Sequence, residues 1–380
     1  MAEPVFFYKI KDYNDETLEE KIEKIISSVI KPELVKGKRV FIKPNLLTNR
    51  SPDQAVTTHP KVVFVVANYF VKKGAQVTIG DSPGGPGSAA WLKTVFRVSG
   101  IETVAEQTGA VLNFDLTPYK VQIKLKNVYK ELELVKAVVD ADYLINLPKL
   151  KTHGLTVLTC GPKNLYGCVP GLNKAKYHLE LPILENFCEL LVAVAEYLKP
   201  ELTIVDGIIG MEGEGPSSGK PRSLGYLLAS KDCFQVDLFA AHLLGINPNR
   251  LPVLKAASKR GLLNLDDLPE ITGDVPEKTM SFLIAPATTY ADFSDRFAKR
   301  VPKVLLKRIY KWLKPVIEFS EDKCSGCTIC IKSCPASALQ LDNKLPKVNN
   351  KECIHCYCCQ ELCPNNAVSI KKPVLAKWFF

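Results

Sequence analysis

Cys324-Ser-Gly-Cys327-Thr-Ile-Cys330-Ile-Lys-Ser-Cys334-Pro335 and Cys353-Ile-His-Cys356-Tyr-Cys-Cys359-Gln-Glu-Leu-Cys363-Pro364 are one pattern written twice, C-x2-C-x2-C-x3-C-P, the second copy 29 residues after the first. The spacing carries its own chemistry. Three thiolates on two-residue gaps reach three irons of one cubane from a single tight loop, and the fourth, followed by proline, is directed at the other cluster. The predicted ligand sets are therefore Cys324, Cys327, Cys330 and Cys363 for one cluster, and Cys353, Cys356, Cys359 and Cys334 for the second. Cys358 is left over, and His355 is expected as a neighbour, not a ligand. A zinc ribbon uses two C-x2-C pairs; two complete runs ending in Cys-Pro argue against it.

Nine of the thirteen cysteines fall in Cys324–Cys363; Cys160, Cys168, Cys188 and Cys233 are scattered and match no metal pattern. This last stretch of about 60 residues resembles bacterial two-cluster ferredoxins. The resemblance implies a small α+β module with two [4Fe-4S] clusters and one-electron transfer.

Working outward, 380 residues with 46% hydrophobic and 24% charged side chains suit two or three globular domains. The longest apolar runs, Val62–Ala67 and Leu190–Ala195, fall far short of the ~18–20 residues of a membrane helix. Met1-Ala-Glu-Pro-Val lacks a basic n-region and an apolar h-region, so a cytoplasmic location is expected. Residues 317–380 carry eight Lys against six Asp plus Glu, leaving +8 of the total +10 for the rest. Each oxidised cubane adds roughly two negative charges, so a basic body would face a negative loaded module.

The first 290 residues alternate strand and helix patterns. Strands are predicted at Val5–Lys9, Arg39–Ile42, Gln76–Gly80, Val111–Phe114, Tyr143–Leu147, Leu202–Val205 and Leu224–Ala229. Helices are predicted from a capping box at Thr17-Leu-Glu-Glu20, and over Pro60–Lys73, Ala89–Gln107, Ile183–Leu198 and Cys233–Leu244. The fold class expected is α/β, a mostly parallel doubly wound (Rossmann-like) sheet, followed by the ferredoxin-like domain. The divisions are a body at 1–293, a basic amphipathic linker helix at 294–317, the cluster module at 318–372 and a tail at 373–380. Peripheral membrane contact through Arg296–Lys314 is the less favoured role of that linker, and nucleic acid is not expected as a partner.

In such sheets the ligand lies beyond the carboxyl ends of the strands. That rule selects Lys43 and Asn45; Asp81, Gly84, Gly85 and Gly87; Lys149, Lys151 and His153; and Asp206 and Glu212. Lys149–His178 holds five lysines and no carboxylate, and with Lys163 and Asn164 reads as a site for an anionic substrate or cofactor. His153, Asp206 and Glu212 are the candidate proton-transfer groups, and Asp206, Glu212 and Glu214 could hold Mg²⁺. A nicotinamide fingerprint is rejected at Gly85-Pro-Gly87-Ser-Ala-Ala90 because Asp81-Ser-Pro intervene after the strand. Gly215-Pro-Ser-Ser-Gly219-Lys220-Pro221 is not a Walker loop, since the glycines are too close and proline replaces Ser/Thr.

Lys43-Pro-Asn45, Pro148-Lys149-Leu-Lys151-Thr-His153, Lys163-Asn164-x-x-Gly167 and Asp206-Gly-x-x-Gly-Met-Glu212-Gly-x-Gly215-Pro resemble the family catalogued as domain of unknown function 362, many of whose members carry this ferredoxin module. The resemblance implies a cluster-bearing cytosolic redox protein. The function expected is an iron–sulfur oxidoreductase, with electrons exchanged between the clusters, a soluble redox partner and an anion in the body. The alternative is a non-catalytic electron-transfer or cluster-delivery protein whose body docks a partner.

Overall fold

The computed structural model describes residues 2–371 apart from 86, 126–127, 172, 277–278 and 285–314. The expected tail and most of the expected linker lie outside the described residues.

Strand–helix alternation appears as expected. β1 (Val5–Lys9) is followed by α1 (Thr17–Val29), β2 (Arg39–Pro44), α2 (Pro60–Lys72) and β3 (Gln76–Ile79); α3 (Ala89–Val98) and α4 (Ile101–Thr108) lead to β4 (Val111–Leu112). A hairpin of β5 (Pro118–Leu125) and β6 (Val128–Val135) and the short α5 (Lys136–Val139) precede β7 (Tyr143–Leu147), β8 (Lys149–His153) and β9 (Val157–Thr159). Next come α6 (Gly161–Leu165), α7 (Asn173–Glu180), α8 (Leu184–Leu198), β10 (Leu202–Glu212) and β11 (Lys220–Ser230). The body closes with α9 (Cys233–Leu243), α10 (Pro252–Lys259) and β12 (Ile271–Gly273).

The large sheet runs β12-β1-β11-β10-β7-β2-β3-β4. β10, β7, β2, β3 and β4 are mutually parallel, and β11 is antiparallel to both neighbours. Alternate side chains enter opposite cores: Val40 and Ile42 pack with α1, α2 and α3, whereas Phe41 packs with the core of α8, α9 and α10. The chain moves from β2 outward to β3 and β4, then returns to place β7 on the other side of β2. That reversal opens a crevice at the carboxyl ends of β2 and β7, where doubly wound sheets bind ligands.

Three local expectations change. The capping box at Thr17 is replaced by Asp15, whose Oδ1 accepts from Thr17 N at 2.9 Å and Thr17 Oγ1 at 2.7 Å. These bonds hold its carboxyl at about 2, and a negative charge suits a helix N-terminus. The single helix at Ala89–Gln107 is two, α3 and α4, because Gly100 sits at φ 78° between them. Lys149–His153, expected only as a stretch beyond the end of the strand at Tyr143–Leu147, is itself a fully buried strand.

Among the described residues the C-terminal module opens with β13 (Val316–Phe319), which pairs with β16 (Val368–Lys371). Between them lie α11 (Ile329–Lys332), the hairpin β14 (Leu339–Asp342) and β15 (Leu345–Val348), and α12 (Cys358–Glu361). The sequence repeat extends to the backbone. Gly326 and His355, Thr328 and Tyr357, and Ser337 and Asn366 hold equivalent positions, and all have positive φ.

Lys149 and Asp206 pin the N-terminal loop to the sheet. Lys149 Nζ lies 2.8 Å from Asp206 Oδ2 and donates to Tyr13 Oη at 2.7 Å, and Tyr13 Oη donates to Asp206 Oδ1 at 2.8 Å. Asp206 also accepts from His59 N at 2.9 Å, and the Tyr13 ring stacks on His59. Removing one partner of a buried pair leaves the other charge uncompensated, so Asp206→Ala should destabilise by about 3–5 kcal/mol in urea unfolding; a loss below about 1 kcal/mol would contradict a structural role.

Asp237, buried on α9, accepts from Gly161 N at 2.7 Å, and burial pushes its carboxyl up to about 7. The folded state therefore binds more protons than the unfolded one between ~pH 4 and ~7, and this group's contribution falls as pH rises, by up to ~1.4 kcal/mol per pH unit. Asp237→Asn should flatten the pH 5–7 dependence of the unfolding midpoint; an unchanged slope would contradict the assignment.

Candidate functional site

At the crevice beyond β2 and β3, the body and the C-terminal module enclose a cavity of about 110 Å³. Lys43 and Asn45 reach it from the end of β2; Asp81, Gly84 and Gly85 come from the loop after β3. β8 supplies Lys151 and His153, and α6 supplies Lys163 and Asn164. Nine residues expected from sequence therefore meet in one place. Four do not line it: Gly87, Lys149, Asp206 and Glu212. Lys149 and Asp206 neutralise each other, and Glu212 is held by Arg222 Nη1 at 2.5 Å and by Leu283 N at 3.1 Å. Glu214 is exposed. Among the described residues no group of three or more His, Cys, Asp or Glu is arranged to hold a single metal ion, and the expected Mg²⁺ trio is not assembled.

The cavity wall is built around buried charge. Lys43 Nζ lies 2.8 Å from Asp81 Oδ1 and donates to Pro44 O at 2.7 Å and Asn164 Oδ1 at 3.1 Å. Asp81 in turn accepts from Leu46 N at 2.7 Å and Ser82 N at 2.8 Å. Gly167 makes room for this pair, since a Cβ there would stand 2.3 Å from Asp81 Oδ1 and 2.5 Å from Lys43 Nζ. Lys151 donates to Val56 O at 2.6 Å, and burial lowers its pKa far below the usual lysine range. Lys163 lies over the Tyr166 ring.

Sequence reasoning missed two groups. Lys174, on α7, donates to Ser82 O and Oγ, and burial brings its pKa down to about 8. Glu361, on α12, faces His153 Nε2 at 3.0 Å. Lys174 lay in the lysine-rich stretch and could have been singled out; Glu361 carries no local signal, because it reads as a ferredoxin surface residue between two cysteines. Burial disfavours the Glu361 carboxylate, but His153 and Lys163 more than offset this and hold it at about 2.

His153 Nδ1 accepts from Leu155 N at 3.0 Å and Thr156 N at 3.3 Å, so its ring proton sits on Nε2, which lies 3.0 Å from Glu361 Oε1 but is not aligned to hydrogen-bond it. Burial first, and Lys163 second, lower its pKa; burial brings His178, also in the wall, to about 3. Neutral His153 is thus a poor acid. Lys174, near 8, is matched to proton transfer at neutral pH.

The module contributes Cys358, Glu361 and Leu362 to the same wall. Leu362 packs against Gly84, where any Cβ would come within 1.9 Å of it. Arg50 donates to Cys363 O at 2.7 Å and Asn366 Oδ1 at 2.6 Å, and Ser217 Oγ to Gln360 O at 3.2 Å. Two smaller voids of about 20 Å³ lie within the module. Cys324, Cys327, Cys330 and Cys363 line one; Cys334, Cys353, Cys356 and Cys359 line the other. Ala338 N donates to Cys334 Sγ at 3.3 Å and Ala367 N to Cys363 Sγ at 3.2 Å, equivalent bonds in the two repeats. Cys358 lines both the second void and the large cavity, whereas His355 lines neither.

Comparison with known proteins agrees with this two-part architecture. The model for the domain of unknown function (DUF362) matches residues 40–242, and that for the 4Fe-4S dicluster domain matches 316–364. The thylakoid-associated protein sll1697 of Synechocystis sp. is 39% identical over 228 residues, 60% of this chain and 69% of that protein. A ferredoxin of Methanothermococcus thermolithotrophicus is 30% identical over 54 residues, 13% of this chain and 90% of the ferredoxin. A component of an ion-translocating oxidoreductase complex of Methanosarcina acetivorans is 33% identical over 76 residues, 20% of this chain and 29% of that component. Among solved structures, the lactate racemase apoprotein of Thermoanaerobacterium thermosaccharolyticum gives a TM-score of 0.40 at 15% identity, covering 65% of this chain and 58% of that one. Among the described residues no helix is long and apolar enough to cross a membrane. The chain belongs to the DUF362 family and carries, after its α/β body, a 4Fe-4S dicluster domain of the kind that transfers electrons.

Proposed function

We propose that this protein is an iron–sulfur oxidoreductase in which the C-terminal module exchanges electrons with a small anion held in the body's lysine-lined cavity. Cys324, Cys327, Cys330 and Cys363 would hold one [4Fe-4S] cluster, and Cys353, Cys356, Cys359 and Cys334 the second; the partition of these cysteines between two voids supports that assignment. The clusters, when bound, supply one-electron transfer at low potential.

One observation carries the link to the cavity. On the single turn of α12, Cys359 faces the second void, Glu361 faces the large cavity, and Cys358 faces both. The wall of one site is the wall of the other. In the body, Lys151 and Lys163 attract the anion, Lys43 and Asp81 fix the floor, and Lys174 holds a proton it can release at neutral pH. His153 Nε2 faces Glu361 at 3.0 Å across the wall. Leu362 and α12 form the module's side of the wall. The surface of the first void, where Cys327 is exposed, is where a soluble redox partner would approach.

Anaerobically reconstituted protein should bind about eight irons. Cys330→Ala and Cys359→Ala should each lose about half of that iron, while Cys358→Ala keeps it all; iron loss on Cys358→Ala equal to that on Cys359→Ala would show the ligand assignment to be wrong. Reduced protein should be reoxidised, with its visible absorption regained, by a small anion that occupies the cavity. Reoxidation by a partner protein alone, with every bound anion inert, would instead support an electron carrier.

A further inference from the structure

The cavity's hydrogen-bond directions and charge restrict what it binds. Asn146 Nδ2 donates to Gly161 O at 3.0 Å, an atom that can only accept, so Asn146 Oδ1 points the other way and takes Asn164 Nδ2 at 2.8 Å. Asn164 Oδ1 then faces Lys43 Nζ at 3.1 Å, an atom that can only donate, and also takes Asn45 Nδ2 at 2.8 Å. The chain of amides is thereby fixed in direction from both ends. Its last member presents an acceptor: Asn45 Oδ1 is buried, in a residue of the cavity wall, with no hydrogen-bond partner. Thr159 Oγ1, also in that wall, is buried and unpartnered too. Buried polar groups left unmade cost about 1–3 kcal/mol each, and with His153 Nε2 three such atoms belong to residues of this wall, which points to a ligand that meets them.

Charge gives the second restriction. The wall holds Lys43, Lys151, Lys163 and Lys174 against Asp81 and Glu361, two more basic side chains than acidic ones. Size gives the third. At ~10–15 Å³ per water-sized group, 110 Å³ holds about seven to eleven such groups, the size of a compact ligand.

We propose that the ligand is a small dianion that also carries a hydrogen-bond donor, a hydroxyl or a protonated oxygen, which it gives to Asn45 Oδ1. Hydroxylated dicarboxylates and hydrogenphosphate groups share this chemistry. The proposal rests on the reading of the cavity as the substrate site and narrows it.

Calorimetric titration of the iron-loaded full chain tests it with paired probes differing in one group. Malate should bind at least about 10-fold more tightly than succinate, which lacks the hydroxyl, or hydrogenphosphate at least about 10-fold more tightly than monofluorophosphate, which lacks the P–OH. The pair that responds identifies the source. Lactate, a monoanion with a hydroxyl, should bind at least about 10-fold more weakly than malate if the dicarboxylate is the source, and more weakly than hydrogenphosphate by the same factor if the phosphate is. Lys151→Met should weaken dianion binding at least about 30-fold at unchanged iron content, and Thr159→Val several-fold at unchanged circular dichroism. No dianion binding, or equal affinity within both pairs, would overturn the proposal. Dianion binding without reoxidation of the reduced clusters would uphold it and refute the redox reading; reoxidation by anions that show no such preference would do the reverse.

Discussion

Placing several lysine side chains around one cavity is the constraint around which this molecule is organised. A buried cation without a counter-charge costs several kcal/mol, and the wall of this cavity holds twice as many lysines as carboxylates. Lys43 has Asp81 as its partner. Lys151 leans on a backbone carbonyl and Lys174 on Ser82, partners that hold an ammonium without cancelling its charge. Proteins retain such arrangements where a ligand completes them, and burial lowers the pKa of both Lys151 and Lys174.

The same constraint explains why the C-terminal module is more than an appendage. Glu361 is the second carboxylate in the wall, and it comes from the module. Leu362 seals the loop at Gly84, and Arg50 clasps the backbone of Cys363. The second void shares Cys358 with the cavity, the first void is tied to the body through Arg50 and Cys363, and Cys327 beside it is exposed.

Much of this was legible in the sequence, for reasons that also explain what was not. The cysteine sets follow from spacing alone, because cluster geometry tolerates few alternatives. Lys43 and Asp81 were visible because doubly wound sheets place ligands just past strand ends, and Lys163 because it lies in a lysine-rich stretch without carboxylates. Lys149, Lys151 and His153 read as one group at alternate positions, yet Lys149 turns to Asp206 and the other two enter the cavity. β8 meets β10 at Lys149–Asp206 and Lys151–Met211 with an irregular register between, so the two-residue period of a regular strand fails there. Glu361 and the direction of the Asn146–Asn164–Asn45 chain depend on contacts between residues far apart in the sequence, which no local pattern encodes.

The central claim is that a cluster in the second void and an anion in the cavity sit on opposite sides of Cys358. Pulsed electron paramagnetic resonance on reduced, iron-loaded protein saturated with whichever dianion the titrations select, isotopically labelled malate or hydrogenphosphate with its native phosphorus nucleus, measures that proximity directly. The account predicts a hyperfine coupling between cluster spin and dianion nucleus that survives Cys330→Ala and disappears in Cys359→Ala. A saturated sample with no such coupling, or one whose coupling is lost with Cys330 and kept without Cys359, would contradict it.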